Sequence, residues 1–271
     1  MCELLGMSSS CPADLCFSFS GLRRRGGAVG PHADGWGAVF YLDDGLHWLR
    51  EEQPCHDSAL AALLCEEPIR ASSAICHIRQ ANVGDICLEN THPFVNELWG
   101  QHWALAHNGQ LYGFKPTAGV FQAVGVTDSE ALFVDLLNRL VERFEQPPEL
   151  EVLIGFIADS CAEYLRYGVC NLLIGNGDWL FSLCSTRLAS VSRRFPFGNA
   201  TLRDHDLNLD IGAGLTRHSV ITVLATEPLT QNENWTQYRP GMWQLWRQGE
   251  VVLNGDLLQD RLASFLFRLA V

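Results

Sequence analysis

The sequence predicts an α+β protein built on antiparallel sheets. Segments with strand-like apolar patterns lie towards both ends of the chain, while the two clearest helical patterns stand next to each other near its middle. Asp44-Gly45 and Asn176-Gly177 each separate two such strand segments, which is a strong local signal for a β-hairpin. A doubly wound parallel sheet would instead alternate strands with helices along the whole chain. We therefore expect antiparallel sheets with the helices segregated from them.

Five strands are expected in the N-terminal half. These strands are, in chain order, residues 2–7, 38–42, 46–49, 74–79 and 103–107. Residues 21–37 are so rich in glycine that we expect neither helix nor strand there. A short helix is expected over 57–65, with Asp57 or Ser58 as its N-cap. The Asn-Gly pair directly after residue 107 predicts a turn.

The middle of the chain carries the two strongest helix signals. Thr127-Asp128-Ser129-Glu130 matches a capping box, in which the Thr hydroxyl accepts from the amide of Glu130 and the Glu carboxylate reaches back. Apolar residues then recur at helical spacing as far as Phe144. A second helix is expected over 148–167, with Gly168 as its terminator. Further strands are expected at 170–174, 179–183, 220–225 and 242–247.

The length allows one large domain or two small ones, and our prediction is a single domain that spans residues 1–271. A chain of this size buries about 70–75 % of its unfolded surface, so it needs no metal or disulfide to fold. The amphipathic segment 256–269 is expected to close the domain. The chain opens without the basic segment of a secretory signal, and no apolar run reaches the roughly 18 residues of a membrane span. We therefore expect a cytoplasmic protein whose ten cysteines are reduced.

Charge and residue usage exclude several classes of function. The net charge of −12 argues against nucleic acid or an anionic membrane as the main partner. Lys115 is the only lysine, so the Gly-x-x-x-x-Gly-Lys phosphate loop is absent. The cysteine spacings contain no Cys-x-x-Cys pair, so we expect no metal site. Nothing in the sequence requires a cofactor.

Cys2 is the first candidate for chemistry. Cells readily remove an initiator Met when the next side chain is small, and removal of Met1 would leave a thiol and an α-amine on one residue. The α-amine has an unperturbed pKa of about 7.7–8.0 and the thiol one of about 8.5. One residue would then carry a nucleophile and its own general base. The alternative is that Cys2 only packs as the first core residue of a strand.

Three further segments carry candidate binding groups. The Asn108 side chain beside the Gly109 amide could aim two donors at one point, as an oxyanion hole requires, although an Asn-Gly turn is the commoner explanation. Arg79 ends a strand, where its fork suits a carboxylate unless it forms a surface ion pair. Asp128 at a helix start is favoured by the helix dipole, and it could equally hold a substrate ammonium.

Together these segments resemble the class-II glutamine amidotransferases, a branch of the N-terminal-nucleophile (Ntn) hydrolases. The matching segments are, in chain order, Cys2-Glu3-Leu4-Leu5-Gly6, Arg25-Gly26, Asp34-Gly35-Trp36-Gly37, His77-Ile78-Arg79, Thr91-His92-Pro93-Phe94, His107-Asn108-Gly109 and Thr127-Asp128-Ser129-Glu130. The likeness continues through Thr226-Glu227-Pro228 and covers nearly the whole chain, so the protein is most similar to a type that stands alone. Each segment is weak singly, but the ordered series is highly specific.

The resemblance implies a four-layer αββα sandwich of two antiparallel sheets and removal of Met1. It implies that Cys2 is the nucleophile, that its α-amine is the base, and that a thioester forms as glutamine loses ammonia. It assigns the oxyanion hole to the Asn108 side chain and the Gly109 amide. Arg79 would take the glutamine α-carboxylate, and Asp128 the α-ammonium.

The same resemblance places four more residues at the substrate. These are Gln80, Asn82, His92 and His107. Many relatives have Trp-Ala-Thr where this chain has Gln80-Ala81-Asn82, so the local substrate contacts should differ here. No domain that would receive ammonia is recognisable in the chain.

The sequence therefore predicts cleavage of the γ-amide of glutamine, or of a γ-glutamyl compound, without a cofactor. A separate ammonia-acceptor protein is a possible partner, but we favour hydrolysis without an obligate partner. Neither nucleic acid nor a membrane is expected to bind. The alternative is a catalytically idle binding or regulatory subunit that keeps the fold, which retention of Met1 would support.

Overall fold

The structure is a computed structural model that describes residues 2–67, 69–212 and 214–259. Within these residues the chain forms four α-helices: α1 Cys16–Arg25, α2 Ala59–Glu66, α3 Asp128–Arg143 and α4 Leu150–Tyr164. It also forms fifteen strands: β1 Glu3–Asp14, β2 Trp36–Leu42, β3 Gly45–Glu51, β4 Arg70–Ile78, β5 Phe94–Leu98, β6 Gln101–Leu111, β7 Gly168–Gly175, β8 Leu180–Leu183, β9 Ala189–Arg194, β10 Asn199–Thr201, β11 Asn208–Asp210, β12 Val220–Ala225, β13 Thr236–Gln237, β14 Met242–Arg247 and β15 Glu250–Asp256.

Two large antiparallel sheets contain most of these strands. The first has seven strands in the order β13-β9-β12-β1-β4-β2-β3, and the second has six in the order β15-β14-β8-β7-β6-β5. Strand β1 lies between β12 and β4 in the first sheet, where Leu5 pairs with both Ala225 and Cys76. The start of the chain is therefore a central strand, which holds the residues at its N-terminal end in fixed positions.

The sheets and helices form four layers. The two sheets pack face to face through apolar residues such as Leu4, Ile75 and Leu173, all of them fully buried. Helices α1 and α2 cover the outer face of the first sheet. Helices α3 and α4 cover the outer face of the second. The expected αββα sandwich, an α+β fold, is confirmed.

Local sequence signals are realised at several elements. Asp43 and Asp44 form the turn between β2 and β3, and Gly45 follows with a φ of +139°, which favours glycine. The hydroxyl of Ser58 caps α2 by accepting from the amide of Ala61 at 2.9 Å. These hydrogen bonds and backbone angles are local, so a short stretch of sequence was enough to predict them.

Other expectations were wrong at their boundaries. Residues 16–25 form α1, although part of this stretch was expected to be irregular, because Phe17, Phe19 and Leu22 bury one face against the first sheet. Helix α3 begins after Thr127, whose hydroxyl accepts from Glu130, but the Glu130 carboxylate accepts from the amides of residues 124 and 125 instead of reaching back.

The second central helix is shorter than expected. Helix α4 ends at Tyr164, and Gly168 does not terminate it but opens β7 with a φ of +155°. Met1 and most of the segment 256–269 lie outside the described residues, so their expected roles stay predictions. Among the described helices, none has the length and apolar character that crossing a membrane requires.

Candidate functional site

One pocket collects eight of the nine residues expected at a catalytic or substrate site. They are Cys2, Arg79, Gln80, Asn82, His92, His107, Gly109 and Asp128. The pocket is partly open to solvent. The ninth residue, Asn108, is buried directly beside Gly109. Residues far apart in the chain therefore meet at one place.

The Cys2 thiol lies at the entrance to β1 against the backbone of Gln80. The Gln80 amide donates to Sγ at 3.3 Å, and the Gln80 carbonyl lies 3.5 Å from the same sulfur. Burial raises the pKa of this thiol, while the Gln80 backbone and the Arg79 charge act in the opposite direction. The thiol is therefore protonated at neutral pH, and it needs a general base before it can act as a nucleophile.

Arg79 follows β4 and is fixed in place from both sides. Its amide donates to the Gly35 carbonyl at 2.8 Å, and its own carbonyl accepts from Asp34 at 3.1 Å. The guanidinium donates three hydrogen bonds to the carbonyls of residues 83–85, at 3.0–3.2 Å. Since a guanidinium has five N–H donors, two stay uncommitted among the described residues. A buried fork with spare donors is suited to a carboxylate.

Asn108 lies inside β6, so the expected Asn-Gly turn was wrong. Asn108 pairs with Asn171, and Gly109 with Cys170, in the ladder between β6 and β7. The Asn108 Nδ2 donates to the Thr226 hydroxyl at 3.2 Å, and its buried Oδ1 has no partner among the described residues. Asn171 in turn donates to the Asn108 carbonyl at 2.8 Å. The amide is thus anchored through one of its two N–H bonds.

Gly109 is required by close packing. A Cβ at this position would overlap the Val169 carbonyl oxygen and would lie 2.5 Å from Nε2 of His107. Because both neighbours belong to the packed sheet, no other residue fits without shifting the backbone. A glycine that local sequence associates with a turn is therefore explained by contacts from a distant strand.

His107 lines the pocket while both of its ring nitrogens are bound to protein. Nε2 lies 3.0 Å from the Val169 carbonyl and must donate to it, so Nδ1 accepts from the Ser129 hydroxyl at 2.8 Å. Burial lowers the pKa of His107, although the nearby Asp128 charge raises it. His107 is therefore a neutral group that fixes the pocket wall against α3.

Asp128 is the first residue of α3, and one of its carboxylate oxygens bonds the backbone of β6. Oδ2 accepts from the Leu111 amide at 2.5 Å. Oδ1 has no hydrogen bond among the described residues and is available to the pocket that Asp128 lines. The residue therefore both ties α3 to β6 and supplies a negative charge to the pocket.

His92 and His77 form a buried stack beside the pocket. Their ring centroids are 4.2 Å apart, and Phe94 lies 4.4 Å beyond His92. Burial is the main reason that the pKa of His77 falls to about 3 and that of His92 falls well below its usual value. Both rings are therefore neutral at physiological pH, and His92 contributes an uncharged polar side chain to the lining of the pocket.

Arg25 belongs to the scaffold of the site. The Arg25 side chain is buried and pairs with Glu3 at 2.8 Å and with Asp204 at 2.7 Å. It also donates to the carbonyls of Glu227 and Pro228. The guanidinium therefore ties the residue after Cys2 to the segment that follows Thr226.

Sequence reasoning gave no role to the residues that support the site. The Thr226 hydroxyl accepts from Asn108 and also from the Leu4 amide at 2.9 Å. The Asn171 Oδ1 accepts from three successive amides, residues 185–187. Thr226 falls in a segment that carried the family resemblance, which was a usable signal. Asn171 lies in an ordinary apolar strand and gave none.

Comparisons with known proteins point to one family. The family model described as "Glutamine amidotransferases class-II" matches residues 1–263. The chain is 47% identical over 255 residues to the Escherichia coli (strain K12) protein YafJ, which its name places among the glutamine amidotransferases; the match covers 93% of this chain and 100% of that protein. A similarly named Haemophilus influenzae protein is 36% identical, with 93% of this chain and 86% of that protein covered.

Solved structures agree with this similarity. The crystal structure of a predicted glutamine amidotransferase from Pseudomonas aeruginosa PA01 matches with a TM-score of 0.73 and 45% identity, covering 93% of this chain and 99% of that one. Glutamine phosphoribosylpyrophosphate amidotransferase from B. subtilis matches with a TM-score of 0.59 and 17% identity, covering 94% of this chain and 49% of that one. The second likeness concerns the fold alone.

Proposed function

The chain belongs to the class-II glutamine amidotransferase family, and on that premise we propose that it cleaves the γ-amide of glutamine, or of a γ-glutamyl compound, through Cys2. The observation that carries the proposal is the composition of one pocket. A thiol, a buried guanidinium with spare donors and a carboxylate with a spare oxygen line the same pocket. These groups match the carbonyl, the α-carboxylate and the α-ammonium of a glutamyl substrate.

The nucleophile is activated from within its own residue. Once Met1 is removed, the α-amine of Cys2 takes the proton from Sγ and leaves a thiolate. The sulfur then attacks the γ-carbonyl carbon and forms a tetrahedral oxyanion. The protonated α-amine returns its proton to the leaving nitrogen, so ammonia departs and a thioester to Cys2 remains. Water attacks the thioester in the same way and releases the γ-carboxylate with the free thiol.

The oxyanion is stabilised from the side of β6. Asn108 uses one N–H of its Nδ2 to bond Thr226 at 3.2 Å, which leaves the other N–H for the oxyanion. The Gly109 amide is the second donor. Two donors held by a sheet cost no reorganisation when charge develops, and they act most strongly in the transition state.

Substrate recognition rests on two charged groups of opposite sign. Arg79 binds the α-carboxylate with the N–H donors that residues 83–85 leave open. Asp128 binds the α-ammonium with Oδ1. Gln80, Asn82, His92 and His107 complete the wall around the side chain of the substrate. The amine or ammonia that leaves can then be released without an obligate partner protein, in the cytoplasm.

Intact-mass measurement of the native protein tests the proposal. The protein should lack Met1, and a glutamine-like electrophile such as diazo-oxo-norleucine should add one label and abolish glutaminase activity. Cys2→Ala should remove both the label and the activity while the fold is kept. Cys87→Ala is the matched control, because Cys87 is also a half-buried free thiol but lies outside the pocket.

Two outcomes would contradict the proposal. Equal labelling of the wild type and Cys2→Ala would mean that another thiol is the nucleophile. If the native protein retained Met1 and took up no label from the electrophile, a catalytically idle subunit would be favoured. A panel of γ-glutamyl amides then identifies the acyl donor, and added cell extract should not raise its cleavage rate if no partner is needed.

A further inference from the structure

Two further thiols lie between helices α1 and α2, outside the pocket that Cys2 lines. Cys16 is the first residue of α1, and Cys65 lies in the last turn of α2. The Sγ of Cys16 lies 2.7 Å from the carbonyl oxygen of Cys65. The two side chains therefore project into the same gap between the helices, on the outer face of the first sheet.

A serine hydroxyl contacts both cysteines across this gap. The Ser20 hydroxyl, one turn further along α1, lies 3.3 Å from Sγ of Cys65 and also bonds the Cys16 carbonyl at 2.8 Å. Neither thiol is fully buried, so a small oxidant can reach both. All ten cysteines lie within the described residues and all are free, but five of them are buried.

The two thiols also differ in reactivity. The neighbouring Cys16 thiol lowers the pKa of the Cys65 thiol, with Ser20 and the Arg23 charge adding to the effect while burial opposes it. The neighbouring Cys65 thiol and burial raise the pKa of Cys16. A thiolate is the form that reacts with oxidants, so the lowered pKa of Cys65 favours it as the attacking thiol.

We propose that Cys16 and Cys65 form a peroxide-reactive dithiol that closes to an intramolecular disulfide. The Cys65 sulfur attacks one peroxide oxygen, which gives a sulfenic acid and one water molecule. The Cys16 thiol then attacks the sulfenic sulfur, and the hydroxyl leaves as a second water molecule. Two thiols are oxidised and one peroxide is reduced to two waters, so the reaction balances without another reactant.

The disulfide would have a structural consequence that does not depend on the proposed function. It joins the first turn of α1 to the last turn of α2 and closes a loop of about 50 residues, which restricts the unfolded chain. The oxidised protein should therefore melt at a higher temperature than the reduced protein.

Treatment of the whole protein with stoichiometric hydrogen peroxide tests the proposal. Alkylation after denaturation should trap eight thiols instead of the ten of the reduced chain, and peptide mapping should show a Cys16–Cys65 cross-link. In Cys65→Ser the cross-link should be absent and the rate of thiol loss should fall at least about tenfold. In Cys16→Ser a 1,3-dione probe should trap a sulfenic acid on Cys65, because no resolving thiol is present.

The control is Cys87→Ser, which removes a half-buried thiol elsewhere and should leave the cross-link unchanged. Mapping of the wild type alone can overturn the proposal, whatever the folding of the variants. Oxidation that reaches Cys2 first, a cross-link between other cysteines, or ten trapped thiols after peroxide would each refute it.

Discussion

Thr226 joins β1, which follows the proposed nucleophile Cys2, to Asn108, the proposed oxyanion donor, so Thr226→Val should impair catalysis. The buried Thr226 hydroxyl accepts from the Leu4 amide at 2.9 Å and from Asn108 Nδ2 at 3.2 Å. Valine keeps the size and branching of the side chain but removes the acceptor. Any change then reports the two hydrogen bonds and not a cavity.

The size of the effect follows from the two donors. The Leu4 amide is held by β1 and cannot turn away, so its loss of a partner should cost about 1–3 kcal/mol of unfolding free energy. Asn108 can rotate once it is released. Complete loss of one oxyanion donor lowers kcat by about 10²–10³, and a donor that is only misaligned should forfeit part of this, about 10- to 100-fold.

The assay is steady-state hydrolysis of glutamine, together with denaturant unfolding of the same preparations. We expect Thr226→Val to lower kcat with little change in KM, and Thr226→Ser to restore most of kcat because it restores the hydroxyl. If Thr226→Val lost stability but kept a normal kcat, Thr226 would be a structural residue only. If KM alone rose, Asn108 would be a ground-state contact.

Three further predictions concern the pocket. Asn108→Ala should lower kcat about 10²–10³ with KM nearly unchanged, and a raised KM at normal kcat in the same kinetic assay would argue against an oxyanion role. Arg79→Gln and Asp128→Asn should each lower kcat/KM by an amount equivalent to about 1.5–3 kcal/mol. With a substrate that lacks the α-amine, Asp128→Asn should lower kcat/KM far less. Equal losses of kcat/KM with both substrates would mean that Asp128 has only a structural role. Because the pKa values of buried His77 and His92 lie below their unfolded values, the unfolded state binds extra protons below about pH 6.5. The free energy of unfolding should then fall by about 1.4 kcal/mol per pH unit per histidine as pH drops towards 3. Urea unfolding at several pH values should show that the free energy of unfolding of His77→Asn depends on pH less steeply than that of the wild type, by one bound proton. An equal slope in the two proteins would contradict the linkage.

The sequence predicted those features that are set by neighbouring residues. The Ser58 cap, the β2–β3 hairpin and the start of α3 each depend on contacts within a few positions. The candidate site residues were predicted on a different basis. They came from an ordered series of short motifs, and eight of the nine line one pocket.

Long-range contacts explain what the sequence did not predict. The Asn-Gly pair at 108–109 carries a strong local turn signal, but Val169 on the neighbouring strand requires a glycine at that point of a continuous β6. Arg25 belongs to a run of arginines, a pattern that is typical of a solvent-exposed loop. Glu3 and Asp204, which are distant from it in the sequence, nevertheless form ion pairs with it. Neither neighbour can be inferred before the fold is known.

The electrostatics of the pocket narrow the choice of general base. His92 and His107 line the pocket, and burial lowers the pKa of both, so neither ring carries a charge at neutral pH. His107 also has both nitrogens bonded to Val169 and Ser129, which leaves no lone pair for the Cys2 proton.

Among the described pocket residues, the charged side chains are then Arg79 and Asp128, which suit the two ends of an amino acid. The lowered pKa of His92 makes that ring a weak base, and the proposed acceptor of the Cys2 proton is therefore the α-amine that removal of Met1 would expose on the same residue. A single ionisation near the α-amine range of about 7.7–8.0 should therefore control the alkaline rise of kcat/KM.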